Sequence, residues 1–445
     1  MNRRRFVTGL AALGATTRVV AQPALQPRVN LARLRRRLEE LSVFGRPAGG
    51  TFADGVSRIG YSDADVAARA WLQKQMRDAS LAPRIDAAGN ILANRPGSDT
   101  AAPPILFGSH IDSVRGGGNF DGDVGSIGAL DVLQTLIEKN VRARHPLELV
   151  IWAAEESNYG SGLNGSSMAA GQIEPDAWNR VQGGVRKSDA LRKIGGDPDR
   201  IAEARRAPGS FHAYLELHIE QGGKLDKAGV PIGVVLGIVT IDDYDVTVRG
   251  FANHAGTTPM AERKDALVAA SQVVQAVREI ATSEPGAQVG TVGQMAVSPN
   301  APNVVPGLVK MTVEFRDLST EKVQRLGERL KKRAAEIAAA TGAEIEVQFT
   351  SRHQGAATAP AIRSVIGTVA GRLGLRHMDL PSGAGHDAQM MARLGPIGMI
   401  FVPSLAGISH SPRELSRFED CAQGADVLLG TILELDRMDR IASGA

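Results

Sequence analysis

Apolar residues recur at helical spacing in "LARLRRRLEEL" (Leu31–Leu41), with charges between the leucines. The pattern returns in "YSDADVAARAWLQKQMRDASL", where Ser62 or Asp63 can serve as N-cap. Two unbroken apolar runs follow, "PPILFGSH" and "LELVIWAAEE", separated by a glycine-rich loop and the helical "GSIGALDVLQTLIEKN". Strand, helix, strand in that order predicts a parallel sheet with its chemistry at the carboxyl edge.

After "PIGVVLGIVTI" the texture changes. "DYDVTVRGF" and "LVKMTVEFRD" alternate with period two, "ERKDALVAASQVVQAVREIA" and "EKVQRLGERLKKRAAEIAAATG" are helical, and "EIEVQFT" closes the series. This order, strand–helix–strand–helix–strand, predicts a compact α+β insert with an antiparallel sheet. From about Ser351 the chain returns to the first domain, because "GHDAQMMARLGPIGMIFVPS" reads as helix and then buried strand. The expected fold is α/β: a mixed, mostly parallel-sheet catalytic domain over 22–237 and 351–445, interrupted by an α+β domain over 238–350.

Composition supports this picture. The 445 residues are 43% hydrophobic, enough for two cores, while 4% aromatic content and 50 glycines suit a loop-rich enzyme better than a sandwich or a fibre. The net charge of +3 owes itself to Arg3, Arg4, Arg5 and Arg18, and the rest of the chain is near neutral, which leaves no basic footprint for nucleic acid. Those arginines belong to "MNRRRFVTGLAALGATTRVVAQPA", in which a short apolar stretch ends near Ala21. Residues 1–21 therefore read as a twin-arginine-type signal peptide, predicting a periplasmic protein with no membrane attachment once the signal is removed. The alternative is a basic tail on a cytoplasmic protein. Cys421 is the one cysteine, which excludes an internal disulfide.

Chemistry concentrates at the predicted strand ends. "VIWAAEESNY" places Glu155 and Glu156 side by side at the mouth of an apolar run, where two carboxylates repel. His110 ends "FGSH", with Asp112 two residues on; Asp121 lies in "GGGNFDGDVG", His218 in "LELHIEQGGKL" and His410 in "GISHSPRE". One such histidine is ordinarily structural. Three of them, with Asp121 and the glutamate pair, point to a metal centre, since divalent cations hold carboxylates that otherwise repel. Imidazole and carboxylate donors suit zinc, manganese, cobalt or nickel. Of the adjacent glutamates, one should bind metal while the other handles the proton of an activated water.

The words "GSHIDSV", "GGNFDGDVG", "AAEESNYG", "ELHIEQG", "RGFANHAGTTPM", "PNVVPG", "EFRD", "SGAGHDAQ" and "GISHSP" resemble the metal-dependent amidohydrolases of the aminoacylase and carboxypeptidase-G type. The resemblance is greatest to the branch containing N-carbamoyl-L-amino acid hydrolase, β-ureidopropionase and allantoate amidohydrolase, and it runs from about Leu31 to Asp436. It implies two divalent ions per subunit, zinc foremost, with His110 and His218 on one, Glu156 and His410 on the other, and Asp121 bridging both. Glu155 becomes the general base, and Asp112 orients His110. A histidine at position 218, where the peptidase relatives tend to use a carboxylate, favours the carbamoylase side.

The resemblance also makes the insert a lid and dimerisation domain. From it, His254 reaches the partner subunit's site in a homodimer and steadies the oxyanion, while Asn303 and Arg316 hold the substrate carboxylate. Gln221 contacts the ureido group, and the glycine loop around Gly385 lies beside the substrate; His386, with Asp387, either faces substrate there or stabilises the loop. His145, His212, His353 and His377 match no motif, and Gly116–Gly118 lacks the Gly-Lys-Ser/Thr of a phosphate cradle. The implied activity is hydrolysis of a non-peptide C–N bond in an N-carbamoyl-L-amino acid or related ureido acid. An aminoacylase or dipeptidase acting on acyl-amino acids and a non-catalytic exported binding protein are the alternatives. The export signal favours scavenging over nucleobase breakdown.

Overall fold

The computed structural model describes residues 26–442 apart from 157, 174 and 175, so the signal expected over residues 1–21 lies outside the described residues. The amphipathic segment Leu31–Leu41 is a helix capped by Asn30, and Asp63–Asp78 is a helix whose N-cap, Ser62, accepts the Asp65 N–H. Nine strands form one sheet. In spatial order they are Arg84–Ile85, Ile91–Arg95, Leu147–Trp152, Ile105–His110, Ala213–Ile219, Ile397–Val402, Ile232–Ile238 and Ala356–Ala357, with His377–Ser382 also paired to Ile232–Ile238. The middle four run parallel, and antiparallel partners flank them on both sides.

The central strands are buried along their whole length, which is why they read as unbroken apolar runs. On one face Asp123–Glu138, Pro360–Arg372 and Phe418–Leu435 pack into a core with Leu133, Ile151, Leu215 and Leu428. Trp152, Tyr214, Met399 and Phe401 fill the other face. Register then places the functional ends together: His110 lies opposite Trp152, three residues before Glu155, and His218 lies opposite Phe401. The loops that leave these strands share one edge of the sheet.

The insert folds as a separate antiparallel sheet in the order Val289–Ser298, Leu308–Asp317, Thr240–Arg249 and Glu344–His353. The helices Ala266–Thr282 and Thr320–Thr341 cover one face, around Val246, Val273, Met311 and Leu330. Alternation is strict in Thr240–Arg249, where every second residue is buried. The strand Val289–Ser298 is one more than periodicity predicts. It is an edge strand, mostly exposed and interrupted by Gly290 and Gly293, so no burial pattern marks it despite its valines.

Candidate metal centre and active site

Asp121 is the hub of the site. Its Oδ1 lies 3.2 Å from His218 Nε2 and 3.7 Å from His110 Nε2, while its Oδ2 lies 3.3 Å from His410 Nε2. His410 Nε2 is in turn 3.4 Å from Glu156 Oε1, and Glu155 Oε2 is 3.8 Å from His110 Nε2. Two donor groups share Asp121, His110 with His218 and Glu156 with His410, while Glu216 and His386 form a third group with His218 behind them. Each strand-end histidine is aimed by its backbone. His110 Nδ1 sits 3.0 Å from the Asp112 carbonyl and His218 Nδ1 3.0 Å from the Ile219 carbonyl, which turns each Nε2 toward the cluster, where that of His218 also meets the Gly122 N–H at 3.2 Å.

Local backbone geometry makes this approach possible. A Cβ at Gly122, where φ is +67°, would lie 2.4–2.5 Å from the His110 ring, so only glycine lets that imidazole lie against the Asp121 loop. Ala154, Gln221 and His410 all hold positive φ, a costly conformation for residues with side chains, and all three lie in or beside the cluster. Asp112 orients His110 through its carbonyl; its carboxylate instead accepts the N–H groups of Glu155 at 3.0 Å and Glu156 at 3.1 Å. That pair of bonds fixes the main chain of both glutamates, whose side chains reach His110 and His410 respectively.

The electrostatics fit cations. Burial first, then Glu156 and neighbouring acids, drives the Glu155 carboxyl well above the usual range. Burial and Asp121 push Glu156 up to about 7. The Asp121 hydrogen bond raises His410 to about 9; at His218 burial opposes the charge, but Asp121 still lifts the pKa to about 9. Burial pulls His110 down to about 4, which keeps its ring neutral and available as a ligand. A buried cluster that pushes Glu155 and Glu156 toward their protonated forms and His218 and His410 toward their charged forms is what divalent cations would relieve.

A cavity of about 710 Å³ opens over this edge, lined by Asp121, Glu155, Glu156, His218, Gln221 and His410, and by Gly385 on the far side. Gln221 donates to Asp121 Oδ2 at 2.6 Å, while among the described residues its buried Oε1 has no partner. His386 is buried, 2.8 Å from Ser382 Oγ and packed on the His218 ring, and Asp387 accepts from Ser166 Oγ at 2.5 Å; both serve as internal supports. His145 and His212 stack on each other at 4.2 Å elsewhere. His353 lines the cavity, although no motif singled it out.

Three expected substrate contacts do not line the cavity within one chain: His254, Asn303 and Arg316. His254 and Asn303 are exposed, joined where the Ala255 N–H meets the Asn303 carbonyl at 2.9 Å. His254 Nδ1 accepts the N–H groups of Gly256 and Thr257 at 3.0 and 3.2 Å, so its proton resides on Nε2. The Arg316 fork is occupied by Glu314 at 2.9 and 3.0 Å, and its remaining nitrogen meets the Gly383 carbonyl at 2.8 Å, beside the Gly385 loop.

Glu414 is the residue that motif reading overlooked. Its Oε1 accepts the Phe120 and Asp121 N–H groups at 3.0 and 3.1 Å; its Oε2 accepts Ser409 Oγ at 2.7 Å and the His410 N–H at 3.3 Å. One carboxylate thereby ties the Asp121 loop to the His410 loop. The available signal was an acid four residues after His410 in "SHSPRE".

Residues 106–434 match the family described as peptidase family M20/M25/M40. An N-carbamoyl-L-amino acid amidohydrolase from Geobacillus stearothermophilus is 38% identical over 91% of this chain and 98% of its own length. A ureidoglycolate hydrolase from Arabidopsis thaliana is 32% identical over 90% of this chain and 86% of its own. The crystal structure of an amidase of the hydantoinase/carbamoylase family from Burkholderia multivorans superposes with a TM-score of 0.84 at 34% identity, covering 92% of this chain and 99% of that one.

Proposed function

The chain belongs to peptidase family M20/M25/M40, on its carbamoylase-type C–N hydrolase side, and from that premise we propose a dinuclear metal hydrolase of an N-carbamoyl-L-amino acid or related ureido acid. The observation that carries the proposal is the division of Asp121, with Oδ1 toward His110 and His218 and Oδ2 toward His410. One ion would rest on His110, His218 and Asp121, the other on Glu156, His410 and Asp121. Zinc suits this donor set first, with manganese, cobalt and nickel as alternatives. When bound, the ions supply Lewis acidity toward the carbamoyl oxygen and toward water.

The chain's own residues carry the protons. Glu155 is left over once the two donor groups are assigned, and it lies beside both, 3.8 Å from His110. It takes a proton from the attacking water and returns it to the nitrogen of the C–N bond that breaks; the carbamic acid left over then loses carbon dioxide and frees the second nitrogen, so the final products are the amino acid, ammonia and carbon dioxide. Gln221 offers its unpartnered Oε1 to the ureido N–H groups. His254, with its proton on Nε2, is prepared to donate to the oxyanion in the partner subunit's site, which makes a homodimer through the insert part of the reading. Asn303 and Arg316 then take the substrate carboxylate, Glu314 yielding the guanidinium fork. Gly385 lends its loop to the same site. Export through residues 1–21 would place this scavenging activity in the periplasm.

The test compares N-carbamoyl, N-acetyl and dipeptide forms of one amino acid with metal-loaded protein and a chelated control. Metal-dependent ammonia release from the N-carbamoyl form is expected. Turnover of the acyl or peptide forms alone would reject the ureido assignment in favour of an aminoacylase or dipeptidase.

A further inference from the structure

We infer that Lys187 is a specificity residue that binds a carboxylate on the substrate's side chain, so that the preferred substrates are ureido acids of the aspartate and glutamate type. Lys187 opens the helix Lys187–Lys193 and lines the same cavity as Glu155 and Glu156, yet it is only 6% exposed. A buried ammonium requires a counter-charge, because desolvation is not repaid by a neutral hydroxyl alone. Among the described residues its one hydrogen bond goes to Ser161 Oγ at 3.3 Å, and that hydroxyl donates onward to Asn164 Oδ1 at 3.2 Å. The acid on its own helix, Asp189, is engaged by Arg192 at 3.3 Å. Burial first and the repulsion of Arg180 second pull the ammonium down to about 8, which leaves it charged at neutral pH.

The contact lies on the reacting side of the cavity. Ser161 belongs to the loop that leaves Glu156; the Leu163 N–H closes that loop onto the Glu155 carbonyl at 2.6 Å, and Asn158 and Ser161 exchange backbone bonds of 2.8 and 3.0 Å. Arg316, in contrast, approaches from the insert beside Gly383. With the α-carboxylate assigned to Arg316, which rests on the reading above, Lys187 is a second and separate anion anchor. Two separate cationic anchors, Lys187 in the cavity wall and Arg316 on the insert beside Gly383, match a dicarboxylate. A substrate with a neutral side chain of equal size would leave the ammonium buried without an opposite charge, the situation in which sites discriminate most strongly.

The test measures equilibrium binding by calorimetry to the metal-loaded full chain carrying Glu155→Gln, which slows turnover by about 10²–10⁴-fold. The ligand pairs are N-carbamoyl-L-glutamate with N-carbamoyl-L-glutamine, and N-acetyl-L-glutamate with N-acetyl-L-glutamine. The acidic member of a pair should bind more tightly, and adding Lys187→Met should cut the acidic-to-neutral ratio by at least about 30-fold, the scale of removing one partner of a buried charge pair. Lys187→Arg should restore most of the ratio, an outcome that a purely structural lysine would not produce. A preference seen only in the acetyl pair would reject the ureido reading and keep the lysine assignment. A ratio that Lys187→Met leaves unchanged, or failure of both acidic ligands to bind, would overturn it.

Discussion

Glu414→Ala removes four hydrogen bonds from one buried acceptor, two from the loop of Asp121 and two from the loop of His410. Bonds to a charged acceptor contribute about 1.5–3 kcal/mol each. Water entering the vacated space re-satisfies most of the donors, which leaves a stability loss on the order of 3 kcal/mol. The functional loss is larger in proportion, since outer partners of metal ligands typically control affinity by about 10–100-fold. Glu414→Gln sharpens the reasoning. Its amide oxygen can still accept from Phe120 and Asp121, but its NH₂ group meets the His410 N–H, donor against donor, so the Glu156–His410 side should lose metal first. Chelator competition followed by metal analysis reads the affinities, and denaturant unfolding reads stability. If both variants bind two ions within threefold of the wild-type affinity, the carboxylate does not organise the site and the argument fails.

Glu155→Gln should retain its metal content and lose about 10²–10⁴-fold in turnover, the usual contribution of a general base; full activity in an ammonia assay would remove Glu155 from that role. In the metal-free chain His218 and His410 have pKa values near 9, so the stability they contribute is complete below 6.5 and is lost as pH rises through 9. Because metal displaces those protons, melting temperatures of chelated and zinc-loaded protein should diverge from pH 6.5 to 9, and parallel curves would refute this. Arg58 is buried on Asp123 at 2.5 Å and also donates to the carbonyls of Leu41 and Phe44 at 3.1 and 3.0 Å. Arg58→Met should therefore cost on the order of 3–5 kcal/mol, measured by urea unfolding, and a loss under 1 kcal/mol would show the pair to be dispensable.

The central sheet was legible because its strands are buried on both faces, and runs such as "LVIW" have few other uses. The donor set was legible for a related reason: His110, Asp121, Glu156, His218 and His410 follow or end strands, and parallel pairing brings such ends to one edge. The edge strand Val289–Ser298 escaped notice because exposure and glycine erase its alternation. Glu414 and Lys187 escaped for a different reason. Each acts through contacts with residues far away in sequence, and a lone glutamate or lysine in a polar stretch looks like surface until the chain is folded. The role of Asp112 shifted likewise, since only the fold shows its carboxylate under the two glutamate amides.

Crystals of the full chain loaded with zinc, measured on both sides of the zinc absorption edge, test the central claim most directly. The account predicts two anomalous peaks per subunit, one against His110 and His218 and the other against Glu156 and His410, both touching Asp121. A single peak, or ions bound away from Asp121, would contradict it.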